Sequence, residues 1–151
     1  MGNALKLPGS SQRGRQIFVS RCSACHGVGP GPHAPGYVLE FNPLQKERLL
    51  HTIVEPGVNL RPTAAASVIF GKTGDLWIGR IRNQNKQTLT VEQTNGSEAV
   101  LPQINIADIY AQPWSIMPEG LETGLNPQNM ADLMEFVIRV STRGAENIQG
   151  P

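Results

Sequence analysis

At 151 residues the chain is the size of one ordinary domain. Its net charge of +1, with no basic run, excludes a nucleic-acid partner held by electrostatics, and no stretch reaches the ~18 apolar residues of a membrane span. With 39% apolar and 5% aromatic residues, the side-chain core is modest for this length, and Gly 16 and Pro 12 imply much loop.

Residues 1–10 are rich in Gly, Pro and Ser and read as a flexible tail. The opening Met1-Gly2-Asn3-Ala4-Leu5-Lys6 lacks the apolar centre of a signal peptide. A helix is predicted from Ser11 to Cys22. Gly14, Ile17, Phe18 and Arg21 fall at i, i+3, i+4 and i+7 and share one face. Gly14, with no side chain, lets a second helix approach closely.

The helix delivers Cys22-Ser23-Ala24-Cys25-His26-Gly27, which contains both cysteines of the chain. This is the C-x-x-C-H pattern of covalent haem attachment. Two thiols three residues apart on a helix-like turn can add to the two vinyl groups on one porphyrin edge. The next residue then lies under the ring, where a neutral imidazole can bind iron. Three other readings compete. A thioredoxin-like redox pair needs only C-x-x-C, usually near a βαβ pattern, and none is visible. A structural zinc site normally needs four ligands, and His33 and His51 lack zinc-type spacing. A plain disulfide leaves His26 without a role. Haem attachment accounts for all three residue types in their order, and a porphyrin supplies the apolar mass that the composition lacks. Such attachment takes place outside the cytoplasm, so a removed signal or a longer parent chain is expected.

Residues 27–36, Gly-Val-Gly-Pro-Gly-Pro-His-Ala-Pro-Gly, read as a stiff loop. One of its carbonyls can accept the free N–H of the His26 ring, fixing its orientation and raising its basicity. Asn42-Pro43 signals a second helix, with Asn as N-cap, Pro at N1 and Gln45 at N3. Leu44, Leu49, Leu50, Ile53 and Val54 keep helical spacing, and Pro56-Gly57 ends it. His51 reads as a surface residue of that helix.

From Ala65 to Leu101 the period changes to two. Val68 and Phe70 alternate with Ser67 and Ile69, and a turn at Thr73-Gly74 leads to Leu76-Trp77-Ile78. A turn at 83–85 precedes Leu89 and Val91. Asn95-Gly96 is a strong hairpin turn before Ala99-Val100-Leu101, and Ile104-Asn105-Ile106 is a candidate fifth strand. The result is a small β-meander at about 65–110, with Trp77 expected in its packing. Residues 111–125 read as a second irregular loop. The last helix starts at Asn126-Pro127 and runs to about Val140, with Met130, Leu133, Met134, Val137 and Ile138 on its apolar face and Phe136 beside it. Residues 143–151 read as a flexible tail.

An iron held by one histidine has a second face. Met1 is terminal, and Met130 and Met134, at i and i+4, follow the pattern of core side chains. Met117 lies in a loop stiffened by Pro118, where a thioether can reach the iron without distorting a helix. The alternatives are His33 and His51 as ligands, and Met117 as a gap-filling apolar residue.

With Cys22-Ser-Ala-Cys25-His26 on an N-terminal helix, Met117-Pro118 in a loop and a closing C-terminal helix, the chain resembles a class I c-type cytochrome. The resemblance is closer to a subfamily of haem-binding domains often fused to exported dehydrogenase-like proteins. Those carry a β insert before a segment like Ser115-Ile116-Met117-Pro118-Glu119-Gly120-Leu121, a helix like Leu49-Leu50-His51-Thr52-Ile53-Val54-Glu55-Pro56, and an ending like Ala131-Asp132-Leu133-Met134-Glu135-Phe136. The resemblance implies a mainly α cytochrome c fold over residues 11–142, three or more helices around one haem c, with the β-meander as an insert. It implies that the first and last helices cross, Gly14 and Phe18 meeting the Phe136 side. It matches Pro32 to the proline whose carbonyl binds the proximal histidine, while His33 replaces the subfamily's acidic residue. It implies electron transfer with His26 and Met117 as iron ligands, no catalytic residues, a dehydrogenase or an oxidase as redox partner, and a periplasmic or otherwise exported location. Two other functions stay open. One is a gas-binding or peroxidatic haem protein, which requires that Met117 is not a stable ligand. The other is a docking haem module of a larger dehydrogenase.

Overall fold

The computed structural model describes residues 2–26, 45–58, 60 and 65–146. The chain divides into two compact units, Met1–Glu55 with Glu119–Pro151, and Pro56–Pro118. The described elements are α1 (Ser11–Arg21), α2 (Lys46–Val54), β1 (Ala65–Gly71), β2 (Leu76–Gln84), β3 (Thr88–Gln93), β4 (Glu98–Pro102), β5 (Ile106–Ser115) and α3 (Pro127–Glu146). The expectation of a mainly α fold is therefore met only in part: the described residues form three α-helices and a five-stranded antiparallel sheet of nearly equal weight.

In the helical unit, Ser10 takes the extended N-cap conformation and its side chain accepts from the Arg13 N–H. Helix α1 buries Gly14 and Phe18. A Cβ on Gly14 would run into the Asp132 carbonyl and lie 2.9 Å from Phe136 Cβ, so α1 and α3 touch backbone to backbone. One turn on, the rings of Phe18 and Phe136 pack at 5.2 Å. The crossing implied by the family resemblance is thus present. Helix α3 opens as its sequence predicts. Asn126 Oδ1 accepts from the Asn129 N–H at 2.8 Å, and Asn129 Oδ1 accepts from the Asn126 N–H at 3.3 Å, a reciprocal cap built from two asparagines. Leu49, Leu50 and Ile53 of α2 join Met130, Leu133, Met134, Val137 and Ile138 of α3 in one apolar cluster. The expected start of α2 at Asn42-Pro43 lies outside the described residues, and Gln45 stands at the N-cap of the helix. Helix α3 extends past Val140 to Glu146.

The first ten residues differ from the tail expected. Gly2–Lys6 forms a 3-10 turn with Ala4 buried, and Leu5 and Leu7 pack on the helical cluster. The Gln128 amide donates to the Pro8 carbonyl at 2.8 Å. Asp132, fully buried on α3, completes the attachment. It accepts from the Ser10 N–H at 2.7 Å, from Arg13 Nε at 2.6 Å and Nη2 at 2.9 Å, and from Gln128 Nε2 at 3.0 Å. Burial alone would push this carboxyl up, but the Arg13, Ser10 and Gln128 hydrogen bonds outweigh it and hold its pKa below the ordinary value. Because the folded value is the lower one, the stabilisation is complete above the ordinary carboxylate range and fades as pH falls through the lowered value. Asp132→Ala is expected to cost about 2–3 kcal/mol, since the Ser10 and Gln128 donors lose their acceptor while the exposed Arg13 head regains water. Urea unfolding should also show that Asp132→Asn loses less stability on acidification than the parent does.

In the second unit the strand order is β4-β3-β2-β1-β5. Strands β1 to β4 form the expected meander. Gly74 and Gly96 take positive φ in their turns, and Asn85 Oδ1 accepts from the Gln87 and Thr88 N–H groups in the third, so that turn sits two residues later than predicted. The fifth strand is the main correction. Gln103–Asn105 is a 3-10 turn, and the strand is Ile106–Ser115, half of it inside the segment read as irregular loop. Pro113 misleads there; it falls on an edge strand where the β1–β5 register shifts, between the Ser67–Ala111 and Ala65–Ser115 pairs. A flat sheet would hold its edges β4 and β5 ~19 Å apart, but Pro102 to Ile106 spans at most ~14 Å. The sheet must therefore curl, closing over Ile69, Leu89, Val91 and Leu101, with Trp77 and Ile81 packed against them. Glu92, buried, is satisfied by Arg80 opposite it on β2, with Nε 3.0 Å away.

Candidate functional site

The site is the turn that ends α1. Cys22 is the C-cap, and its N–H donates to the Phe18 carbonyl at 2.8 Å. The Cys22 carbonyl accepts from both the Cys25 N–H at 3.1 Å and the His26 N–H at 2.8 Å. Those are i+3 and i+4 contacts, so Cys22, Cys25 and His26 occupy a single helical turn and share one side of it. Ser23 Oγ donates back to the Val19 carbonyl at 2.7 Å, tying the turn to the helix. All three residues are half-buried, and Cys22 packs on the helical core.

The two cysteines are not joined in a disulfide, and among the described residues no group of three or more His, Cys, Asp or Glu side chains is placed to hold a metal ion. Burial pushes the Cys22 thiol pKa up, Arg21 pulls it down less strongly, and Cys25 raises it further. Two thiols and an imidazole on one turn are a donor set that fits a covalently attached porphyrin and leaves both sulfurs available for thioethers.

Met117 lies two residues beyond β5, in the other compact unit, half-buried, with its N–H donating to Ser115 Oγ at 3.1 Å. Pro32 and His33 lie outside the described residues. His51 is 65% exposed on α2, 3.9 Å from Glu55, the surface position expected of it. One residue escaped the sequence reading. Arg21, the last residue of α1, donates from Nη1 to the carbonyls of Leu121 and Thr123, each at 2.8 Å. Its periodicity placed it only on a helix face, and nothing local signals carbonyl partners a hundred positions away.

Residues 11–141 match the family model described as cytochrome c. The chain belongs to the cytochrome c family: it binds haem c covalently, with Cys22 and Cys25 for the thioether links, and its class of function is electron transport. No curated protein matches the chain. Among solved structures, a likeness of 14% identity is found to the pleiotropic translational regulator Hfq, covering 38% of this chain and 86% of that one at a TM-score of 0.32. So low a score carries no argument. No helix among the described residues is long and apolar enough to cross a membrane.

The attachment makes a direct prediction. Haem should stay on the polypeptide through acid–acetone extraction and denaturation, and Cys22→Ala or Cys25→Ala should each weaken that retention by removing one thioether. Complete release from the parent would contradict covalent binding.

Proposed function

We propose that this domain passes single electrons through one haem c, with His26 and Met117 as the axial ligands. The observation that carries the reading is the turn itself: the Cys25 and His26 N–H groups both close on the Cys22 carbonyl, so the backbone of His26 is held on the same turn as the two attachment points. Bound haem supplies the one-electron chemistry. His26 would hold the iron; Pro32, which the family resemblance matches to the proline beside the proximal histidine, lies outside the described residues. Met117 supplies a soft thioether that favours the reduced metal. It follows a strand end and precedes Pro118, so its backbone has little freedom. With His26 and Met117 both holding the iron, no position on it would remain for a substrate, and the domain would act as an electron carrier without catalytic residues of its own. Its partner is a redox protein, a dehydrogenase or an oxidase, in an exported compartment. The domain belongs to the subfamily with a β insert, and the Pro56–Pro118 unit is that insert, serving support or docking. The visible spectrum of the ferric protein tests the ligand pair. A weak charge-transfer band at ~695 nm marks His/Met ligation. If the band is missing and the ferrous protein binds carbon monoxide rapidly, the gas-binding or peroxidatic reading takes its place.

A further inference from the structure

A cation in the last turn of a helix ordinarily serves its own terminal carbonyls. Arg21 instead reaches the segment that follows Met117-Pro118. One nitrogen, Nη1, bridges the carbonyls of Leu121 and Thr123 at 2.8 Å each. That segment is already folded into two consecutive turns, with the Thr123 N–H on the Gly120 carbonyl at 3.0 Å and the Leu125 N–H on the Glu122 carbonyl at 2.9 Å. Gly120 and Gly124 stand at φ +82 and +80, a conformation that glycine adopts without strain. A Cβ on Gly124 would lie 3.8 Å from Arg21 Nη2, so the guanidinium rests against the inner turn. The far end of the segment is fixed by the Asn126 cap of α3.

Arg21 is covalently next to Cys22, and Leu121 is four residues after Met117, within ~14 Å of it even when fully extended. The near side of Met117 is tied by its own N–H to Ser115 Oγ. From this we infer that Arg21 is a positioning residue for the sixth iron ligand, joining the turn that bears His26 to the loop that continues from Met117. It acts through the backbone of Leu121 and Thr123 and touches neither ligand. The inference rests on the proposed ligation by Met117. Two carbonyls served by one planar, permanently charged group give the loop a fixed distance from the end of α1.

The test is imidazole binding to the ferric holoprotein, followed by loss of the ~695 nm band. Imidazole competes with the thioether, so its affinity reports how readily Met117 leaves. Arg21→Ala is expected to bind imidazole roughly tenfold more tightly than the parent, the scale of one or two charge-assisted hydrogen bonds. Arg21→Lys should fall between them, and Arg15→Ala, which removes an exposed charge from the same helix, should match the parent. Gly124→Ala strains the loop through its positive-φ backbone while keeping the Arg21 side chain, should shift affinity in the same direction, and carries the test if Arg21→Ala attaches haem poorly. A contact that only stabilises the fold would lower the melting temperature and leave imidazole affinity unmoved. If the parent shows the band and neither Arg21→Ala nor Gly124→Ala changes the affinity, the clamp has no such role and Met117 remains the ligand. If the parent lacks the band, the ligand assignment fails and the role of Arg21 fails with it.

Discussion

Gly14→Leu is expected to prevent accumulation of folded holoprotein. At position 14 even a Cβ would overlap the Asp132 carbonyl oxygen and lie 2.5 Å from its carbon and 2.9 Å from Phe136 Cβ. The obstacle is helix backbone, whose carbonyl cannot swing aside without breaking the α3 ladder, so the two helices must separate. Separation unpacks Phe18 from Phe136 and pulls Ser10 and Arg13 from Asp132. Gly14→Ala should therefore cost about 2–3 kcal/mol, the upper part of the range for overpacking, and Gly14→Leu more than a domain of ordinary stability can lose. Val19→Ala, on the exposed side of the same helix, should stay within about 0.5 kcal/mol of the parent. Thermal melting and holoprotein yield read the series. A Gly14→Leu protein that attaches haem and melts with the parent would mean that α1 and α3 do not cross at this point.

The features that could be read from the sequence are those whose cause is local. Cys22, Cys25 and His26 lie within five residues, and their spacing alone puts them on one turn. Asn126-Pro127 announces the start of α3 because capping and the proline ring act within the first turn. Asn95-Gly96 fixes its hairpin because few other pairs accept positive φ there. The failures share another physics. Ala4, Leu5 and Leu7 gain their place from the side of α3, which cannot be known from a Gly- and Pro-rich decapeptide. Strand β5 carries Pro113 and an almost wholly exposed face, so neither alternation nor propensity marks it; its pairing with β1 does, forty residues away. Asp132 looks like a polar interruption between Ala131 and Leu133, although its burial is made affordable by donors from the opposite end of the chain. The Arg21 contacts are of the same kind.

Met117→Ala should abolish the ~695 nm band of the ferric protein, because the thioether is the group that produces it. The reduced variant should bind carbon monoxide readily where the reduced parent binds it poorly, and the reduction potential should fall, since a soft donor that favours ferrous iron is lost. The two other internal methionines supply the control. Met130 and Met134 are 0% and 1% exposed, inside the helical cluster, so their sulfurs are spent on packing. Met130→Leu and Met134→Leu nearly conserve volume and should each cost less than about 1.5 kcal/mol while leaving the band in place. Those outcomes separate the ligand from the filler by a signal that general destabilisation does not mimic: a loosened core lowers the melting temperature of every variant, but only loss of the ligand removes the band and opens the iron at temperatures where the protein is folded. A Met117→Ala protein that keeps the band would move the sixth ligand to another residue, and one whose parent already takes up carbon monoxide at the same rate would place the domain among gas-binding haem proteins.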